Sequence, residues 1–246
     1  MTTATSLVRA QVEELGPWIT GFEFEGEHYG GNYITKDDGR VTNFITAFQS
    51  HTGRIADHQS RLCILECGCL EGGHTVRLAD AFPKAEIIAT DLRENNLRKA
   101  RFLASLYNVP NIRWLKENLA DPQFVWSQQY DAIFCVGLLY HLRDPATFLA
   151  QAGKSTTFLW LWTVICDETE STRTEGKFRG RILRESVDHP LSGGEVESFL
   201  PTLGSLIDML WDAGFRSVGL LNKEMTSNNN GPCILLQAER ELAKAS

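Results

Sequence analysis

Short apolar runs and longer amphipathic stretches alternate along the chain from Leu62 onward. The apolar runs read LCILEC, AEIIATD, IRWLKE, YDAIFCV and FLWLWTVI, and each has the length of a strand. The stretches between them carry apolar residues at helical spacing, for instance along one side of residues 95–107. Strands that are apolar throughout and are separated by helices are typical of a parallel sheet covered on both faces. We therefore predict an α/β fold with a Rossmann-like, doubly wound and mostly parallel sheet.

Two amphipathic patterns precede this region. The apolar positions that recur at helical spacing are Val8, Val12 and Leu15 in the first pattern, and Val41, Phe44, Ile45 and Phe48 in the second. The stretch between them, residues 26–40, is rich in Gly and Tyr and reads as an irregular loop. We predict that residues 1–55 form an N-terminal helical cap and that residues 56–246 form the main domain.

The alternation stops between residues 167 and 199, where charged residues and turn formers dominate. A loop of this length inside a compact domain is typical of a lid or a substrate-binding insertion. Beyond it, apolar positions from Leu203 to Trp211 predict an amphipathic helix that ends at Gly214. The runs RSVGLL and PCILLQAE, joined by the polar NKEMTSNNNG, predict a C-terminal antiparallel strand pair.

Composition adds limits on partners and location. With 43% hydrophobic residues in 246, the chain can bury a sizeable core, but no apolar run approaches a membrane span of about 20 residues. The first residues lack the uninterrupted apolar core of a signal peptide, because Arg9, Glu13 and Glu14 interrupt them. We expect a cytoplasmic protein with no membrane partner.

The formal net charge of −7 disfavours a nucleic-acid partner, since such proteins usually carry a basic surplus or stripe. The densest basic group, which we interpret as the solvated face of a helix, is Arg93, Arg98, Lys99 and Arg101. A small-molecule partner is therefore favoured, and a homodimer is left open. Cys67 and Cys69 form a C-x-C pair with no second pair at zinc-site spacing, so no metal site is expected.

The loop after the first apolar run, in ILECGCLEGGHT, is the first place to expect a ligand, because open α/β sheets bind ligands at the carboxyl ends of strands. A pyrophosphate site needs G-x-G-x-x-G, and the second glycine is missing after Gly68. Glu66 and Glu71 would repel a phosphate and would favour a cationic ligand. The loop therefore predicts a positively charged ligand without a pyrophosphate, which disfavours a nicotinamide dehydrogenase.

Four runs in order resemble the motifs of the class I S-adenosylmethionine-dependent methyltransferases: ILECGCLEGG, IIATDL, WLKENLAD and YDAIFCVGLLYHLRDP. The resemblance implies S-adenosylmethionine as cofactor and S-adenosylhomocysteine as product. In this family the acid that matches Asp91 hydrogen-bonds the ribose hydroxyls, and the residues that match 117–119 flank the adenine. Asn118 departs from the acid that the family often has there. The cofactor contacts that the resemblance implies are Glu66, Gly68, Cys69, Leu70, Gly72, Asp91, Leu92, Glu117, Asn118, Leu119, Val136 and Tyr33.

The phrase GLLYHLRDP is similar to one in several small-molecule methyltransferases, and to one in a tRNA wobble-uridine-modifying relative that uses a carboxylated cofactor. His141 follows the strand that in this family ends beside the transferred methyl, which makes it a candidate general base. The alternative is that His141 caps the turn into the next helix. Tyr29, Tyr140 and Arg181 are candidate substrate contacts, with core packing or a solvated loop as the alternative for each.

Together these patterns predict methyl transfer from S-adenosylmethionine to an oxygen or a nitrogen of a small metabolite, of specialised or of general metabolism. The second hypothesis is a tRNA wobble-uridine-modifying transferase, motivated by the GLLYHLRDP phrase. The third is a cofactor-binding module without catalysis. The acceptor itself is not readable, because residues 1–55 and 167–199 carry no recognisable motif.

Overall fold

The structure, a computed structural model, describes residues 3–53, 61–121, 123–124, 126, 128–228 and 231–240. Helices α1 to α6 span Thr3–Glu14, Gly39–Thr52, Gly73–Ala81, Glu94–Leu106, Pro145–Ser155 and Leu203–Asp212. Strands β1 to β7 span Thr20–Phe24, Glu27–Gly30, Tyr33–Ile34, Cys63–Cys67, Glu86–Asp91, Ile112–Lys116 and Ala132–Val136. Strands β8 to β13 span Phe158–Val164, Arg173–Glu175, Phe178–Arg184, Glu197–Pro201, Ser217–Asn228 and Gly231–Glu239.

The first of two compact units comprises the described residues of 1–62 and 69–117. Both predicted N-terminal helices are present as α1 and α2, but the prediction of an irregular loop over residues 26–40 is wrong. Strands β2 and β3 lie there and pair with β1, antiparallel and parallel respectively. Glycine makes this pairing compact, because a Cβ atom on Gly21 would lie only 2.3 Å from the oxygen of Gly31.

Strands β5 and β6 of this unit are parallel, with Asp91 opposite Lys116, so both strands end at the same edge. Helix α2 buries Val41, Phe44 and Phe48, in agreement with the predicted stripe. A further core cluster joins residues of α1, the small sheet, α3 and α4: Val8, Phe22, Tyr29, Val76, Leu103 and Ala104. Burial of these apolar faces is the main stabilising contribution to such a unit.

The second unit comprises the described residues of 63–68 and 118–246. Its main strands follow the order β12-β13-β8-β7-β4, with β4, β7 and β8 parallel and with β13 antiparallel to both β8 and β12. The predicted C-terminal antiparallel pair is confirmed. Strand β12 extends through residues 222–228, which we expected to connect the pair, and residues 229–230 lie outside the described residues.

Residues 167–199 do not form the predicted loop. Strands β9, β10 and β11 make an antiparallel sheet in the order β11-β10-β9, with Arg181 opposite Leu200. Charged residues are compatible with these strands because several lie on exposed positions and pair across the ladder, as Arg184 does with Glu197 at 3.0 Å. The segment is therefore a folded sheet rather than an irregular loop, and its role as a lid or substrate-binding insertion stays a prediction.

The fold class is confirmed as a mixed α/β fold with a large, mostly parallel sheet, helices and an antiparallel pair. Helix α6 ends where Gly214, at φ 96°, leaves the helical conformation, as its position in the sequence predicted. The predicted boundary between residues 55 and 56 lies outside the described residues. Within the described ranges, no helix has both the length and the apolar character that a membrane crossing requires.

Candidate active site

The loop that follows β4 turns by placing alternate residues in the left-handed region of backbone conformation. The φ angle is 75° at Gly68, 51° at Leu70 and 81° at Gly72. A Cβ atom on Gly72 would also lie 2.8 Å from the Cβ of Ala100 in α4. Both the conformation and the close approach of α4 therefore require glycine at position 72.

Asp91, at the end of β5, is 8% exposed. Its Oδ2 accepts a hydrogen bond from the Leu70 N–H at 2.9 Å, and its Oδ1 accepts from the Arg93 N–H at 2.8 Å and from Asn96 Nδ2 at 3.0 Å. Burial raises the pKa of Asp91 above its ordinary value, although these hydrogen bonds oppose the shift. A carboxylate offers about four acceptor positions, so this one keeps capacity for a ligand hydroxyl such as that of a ribose.

Other predicted cofactor residues of the first unit lie around the same strand end. The Glu117 N–H donates to the backbone oxygen of Asp91 at 3.1 Å, and the Cys69 N–H donates to that of Thr90 at 2.7 Å. Leu92, directly after β5, is half-buried. The structure therefore places Cys69, Asp91, Leu92 and Glu117 at one edge of the β5–β6 pair, as the carboxyl-end rule predicts.

Glu71 does not have the role that we predicted for it. It is 1% exposed, and its Oε1 lies 2.7 Å from Lys99 Nζ while its Oε2 accepts from the backbone N–H groups of Ile19 and Thr20 at 2.9 and 2.6 Å. Both oxygens are therefore committed to the protein, and Lys99, 3% exposed, is not on a solvated helix face. Of the two acids that favoured a cationic ligand, Glu66 is 2% exposed, and its role at the ligand stays a prediction.

Tyr33 belongs to a polar cluster in the first unit. Its hydroxyl donates to Asp38 Oδ2 at 3.0 Å and accepts an N–H of Arg40, while His74 Nε2 lies 2.9 Å from the same Oδ2. Burial lowers the pKa of His74, and hydrogen bonds from His74 and Arg40 hold the pKa of Asp38 below its ordinary value despite burial. A neutral His74 thus donates to an ionised Asp38. The Tyr33 hydroxyl is committed to this cluster, and His74 lies in the first turn of α3, as predicted.

His141 ends the 3₁₀ turn Leu139–His141 that follows β7, and it is 7% exposed. Its Nδ1 lies 2.6 Å from Oε2 of Glu185, whose side chain is 11% exposed. The ring does not cap the turn into α5, since Asp144 accepts the Thr147 N–H there at 2.9 Å. No residue that the structure describes hydrogen-bonds the other ring nitrogen, Nε2.

Two of the predicted substrate contacts lie in the same unit as His141. The ring of Tyr140 lies 4.0 Å from the ring of His141 and 6.0 Å, edge to face, from that of Trp162. Arg181, on β10, is 22% exposed in its side chain, and its Nε lies 3.7 Å from Glu170 Oε2. Tyr140 is therefore adjacent to the candidate base, whereas Arg181 meets an acidic side chain of the protein.

Tyr29 is buried, which favours the alternative of core packing over a substrate contact. It is 3% exposed, and its ring stacks on Phe22 at a centroid distance of 5.7 Å and an angle of 20°. Its hydroxyl donates to the Thr5 backbone oxygen at 3.4 Å. In the sequence, the one buried aromatic position of this short strand looks like part of a loop that closes over a ligand, and only the packing of the folded chain distinguishes the two.

The remaining predicted cofactor residues of the second unit differ in exposure. Leu119 and Val136 are 9% and 8% exposed, whereas Asn118 is exposed and its Oδ1 accepts from the Ala120 N–H at 3.1 Å. Among the described residues, no group of three or more His, Cys, Asp or Glu is arranged to hold a metal ion. The expectation that the site needs no metal stays a prediction.

Sequence reasoning missed the acids that hold the turn after β7. Arg143 forms a two-pronged pair with Glu175 at 2.6 and 2.8 Å, and its backbone N–H donates to Glu195 at 3.1 Å. Glu185 was also missed. The run FRGRILRE could have indicated Glu185, because the two-residue period of a strand places Arg181 and Glu185 on one face.

Comparison with known proteins gives a family match for part of the chain and a structural match for nearly all of it. The profile of a family described as "Methyltransferase domain" matches residues 64–156. The crystal structure of the N-terminal domain of EvdMO1, in the presence of S-adenosylhomocysteine and D-fucose, superposes with a TM-score of 0.81 at 26% identity and covers 98% of each chain. In the crystal structure of EvdMO1, which contains a longer chain, this chain covers 47% of that chain.

The names of two curated relatives give different acceptors for those proteins. The tRNA U34 carboxymethyltransferase of Colwellia psychrerythraea is 26% identical over 71% of this chain and 52% of the relative. The malonyl-[acyl-carrier protein] O-methyltransferase of Anoxybacillus flavithermus is 33% identical over 37% of this chain and 33% of the relative. The chain spans between 27% and 55% of the length of the curated relatives that it matches.

The matched segment begins in β4 and ends at Thr156, directly after α5, so it includes the glycine loop, Asp91 and His141. The Rossmann-like α/β fold extends beyond it over nearly the whole chain, as the EvdMO1 domain shows. Residues 64–156 therefore match a methyltransferase domain, and the chain has the α/β fold of the EvdMO1 domain, which was crystallised with S-adenosylhomocysteine bound.

Proposed function

We propose that this chain transfers the methyl group of S-adenosylmethionine to a hydroxyl oxygen of a small molecule, with a sugar as the acceptor class. The observation that supports it is the likeness, over 98% of both chains, to a domain crystallised in the presence of S-adenosylhomocysteine and D-fucose. D-Fucose offers hydroxyl groups and no amine, which favours oxygen over nitrogen as the acceptor atom. His141, buried and with Nε2 unengaged by the described residues, supports the same choice.

The proposed cofactor contacts follow the motif residues. Asp91 accepts a hydrogen bond from a ribose hydroxyl through its remaining acceptor capacity. Gly68 lets the backbone approach the ligand, and the carboxylate of Glu66 favours a cationic group. Glu117 and Leu119 flank the adenine in this proposal.

The chemistry divides between cofactor and protein. Bound S-adenosylmethionine supplies an electrophilic methyl group on a sulfonium. The protein holds the acceptor in position and excludes water, and orientation of this kind contributes up to roughly 7–11 kcal/mol in favourable cases. An alcohol keeps its proton at neutral pH, so a base at the acceptor oxygen accelerates attack, by about 10²–10⁴-fold in typical cases. His141 Nε2 is the proposed base.

The test is methyl transfer to defined sugars. The purified chain is incubated with S-adenosylmethionine that carries a deuterated methyl group, and with D-fucose, its methyl glycosides or an amino sugar of the same configuration. Mass spectrometry and NMR locate the label. We expect label on a hydroxyl oxygen, and we expect Asp80→Asn, a change at an exposed residue of α3, to behave as the wild type. Label on the amine alone, or on no sugar while S-adenosylhomocysteine binds, overturns the proposal.

A second candidate is modification of a tRNA wobble uridine. The similarity to the tRNA U34 carboxymethyltransferase, which extends over 71% of this chain, favours it. The net charge of −7 counts against it, because binding of a polyanion draws most of its affinity from basic residues. Electrophoretic mobility shift with bulk tRNA at low salt separates the two. Tight binding that weakens steeply with salt would favour the tRNA candidate, and an unshifted tRNA would remove it.

A further inference from the structure

The contact between His141 and Glu185 joins two parts of the second unit that are far apart in sequence. His141 lies in the turn after β7, and Glu185 directly follows β10 of the sheet β9–β11. The Nδ1–Oε2 distance is 2.6 Å, and the side chains are 8% and 11% exposed. Charge-assisted hydrogen bonds of this length are stronger than neutral ones, and burial protects them from competing water.

This contact determines which ring nitrogen carries the proton when the imidazole is neutral. A carboxylate only accepts, so Nδ1 must be the N–H that donates to Glu185. The lone pair then lies on Nε2, the nitrogen that no described residue hydrogen-bonds. A carboxylate that orients a histidine in this way is the arrangement by which histidine bases act in other enzymes.

The turn that carries His141 is held by the same sheet at several points. The Phe199 N–H donates to the Leu142 backbone oxygen at 3.0 Å, and Arg143 pairs with Glu175 at 2.6 and 2.8 Å. A Cβ atom on Gly193 would lie 2.8 Å from the Cβ of His141, so that backbone packs directly against the histidine. Residues 167–201 thus fix the position of the turn, and Glu185 alone among these contacts reaches the imidazole nitrogen.

We propose that Glu185 is a positioning residue that holds His141 with its proton on Nδ1, so that Nε2 removes the proton of an acceptor hydroxyl. The role rests on the proposed function above. In the reaction the hydroxyl oxygen bonds to the methyl carbon, its proton moves to Nε2, and the carbon–sulfur electron pair leaves with S-adenosylhomocysteine. The sheet β9–β11 thereby supplies part of the active site rather than a passive cover.

A purely structural ion pair is the competing explanation, since Glu185 could serve only to attach the sheet to the turn. Glu175→Gln is the matched control, because Glu175 belongs to the same sheet and pairs with Arg143, two positions from His141. If attachment alone matters, Glu175→Gln and Glu185→Gln act alike. If Glu185 sets the proton position, only Glu185→Gln changes it.

The decisive measurement needs no acceptor. The tautomer of His141 is read from long-range ¹⁵N–¹H NMR correlations of histidine-labelled protein, saturated with S-adenosylhomocysteine and assigned with His141→Gln. We expect the Nδ1–H form in the wild type and in Glu175→Gln, and the Nε2–H form in Glu185→Gln, whose amide can donate to Nδ1. An Nε2–H form in the wild type, or the same form in wild type and Glu185→Gln, overturns the proposal.

Enzyme kinetics give the second readout, measured with the sugar that the labelling experiment identifies as the acceptor. Glu185→Gln should lower kcat by about 10²–10⁴-fold with KM little changed, because the wrong tautomer cannot act as a base. A change in KM alone, or an equal loss in Glu175→Gln, overturns the positioning role. If the wild type binds S-adenosylhomocysteine but methylates no sugar, the proposed function fails, whereas the tautomer result still decides the role of Glu185 in orienting His141.

Discussion

Two buried histidines of this chain each contact a carboxylate, one in each unit, and their surroundings differ. The carboxylate beside His74 also receives Arg40 and the hydroxyl of Tyr33, and His74 Nε2 itself lies 2.9 Å from Asp38 and 3.2 Å from Tyr33. The carboxylate beside His141 bonds to Nδ1 at 2.6 Å, and Nε2 has no hydrogen-bond partner among the described residues.

We interpret the pair around His74 as structural, and we propose a catalytic role for the pair around His141. Asp38 also caps α2, where its Oδ1 accepts the Arg40 N–H at 2.9 Å, so the first pair connects β3, α2 and α3. A group with several partners contributes mainly to stability, because each removal leaves another buried polar atom unsatisfied. A histidine with one nitrogen oriented and the other open has the arrangement of a base. The hydrogen-bond partners around each histidine, and not the residue type, are the basis for the role that we propose for it.

The largest expected effect comes from removing the open histidine. His141→Gln should lower kcat by about 10²–10⁴-fold with the sugar acceptor, because proton removal from the hydroxyl loses its base. The affinity for S-adenosylhomocysteine, measured by calorimetry, should not change. His74→Gln is the control, and we expect each folded molecule of this variant to turn over at the wild-type rate. Equal losses of turnover in the two variants would contradict the distinction between the pairs.

The next effect is on stability. Asp38→Asn removes the charge that His74, Arg40 and Tyr33 share, and we expect the free energy of unfolding to fall by about 1–3 kcal/mol. Urea denaturation followed by circular dichroism measures it. Glu185→Gln provides the comparison, and its loss of turnover should exceed its loss of stability. A destabilised but fully active Glu185→Gln would reverse the assignment of the two pairs.

The pH dependence of stability should show the same asymmetry. The hydrogen bonds from His74 and Arg40 hold the pKa of Asp38 below its ordinary value of 3.8 despite burial. A lowered pKa of an acid stabilises the folded state fully above the ordinary value and loses that contribution as the pH falls through the folded-state pKa. The difference in stability between wild type and Asp38→Asn should therefore be constant near neutral pH and shrink below about pH 4. A difference that grows on acidification would contradict the ionised state of Asp38.

The smallest expected effect is that of Tyr33→Phe. Loss of its hydroxyl bond to Asp38 should cost about 0.5–1.5 kcal/mol of unfolding free energy, the ordinary net contribution of one hydrogen bond. Because the hydroxyl is committed to the cluster, affinity for S-adenosylhomocysteine should stay at the wild-type level in calorimetry. A marked loss of affinity without a loss of stability would restore Tyr33 as a cofactor contact.

The parallel strands were predictable because their burial leaves an apolar run in the sequence. The short strands β1 to β3 and the sheet β9–β11 were not. In the first region the signal was masked by glycines that allow close backbone pairing, as at Gly21. In the second, the strands carry charged residues such as Arg184 and Glu197, which pair across the ladder and look in sequence like a solvated loop.

The position of a site residue was predictable where that residue directly ends a strand. Asp91 lies where the second-strand motif predicts, at the end of β5. Glu71 was misjudged because its partner, Lys99, is 28 positions away, and sequence cannot tell a ligand-facing acid from one that is neutralised inside the protein. Glu185 was missed for the same reason, since its partnership with His141 spans 44 positions. Contacts between distant segments depend on tertiary packing.

The most direct test of cofactor binding is calorimetric titration with S-adenosylhomocysteine and, separately, with NADH. We expect micromolar binding of S-adenosylhomocysteine and none of NADH. Asp91→Ala should weaken the affinity about 10- to 100-fold, since a hydrogen bond to a charged group contributes roughly 1.5–3 kcal/mol. Gly68→Val should also weaken it, because a β-branched residue is strained at a φ of 75°, and Asp80→Asn should not. Binding of NADH in place of S-adenosylhomocysteine would contradict the proposed cofactor, and full affinity in Asp91→Ala would contradict the proposed contact with Asp91.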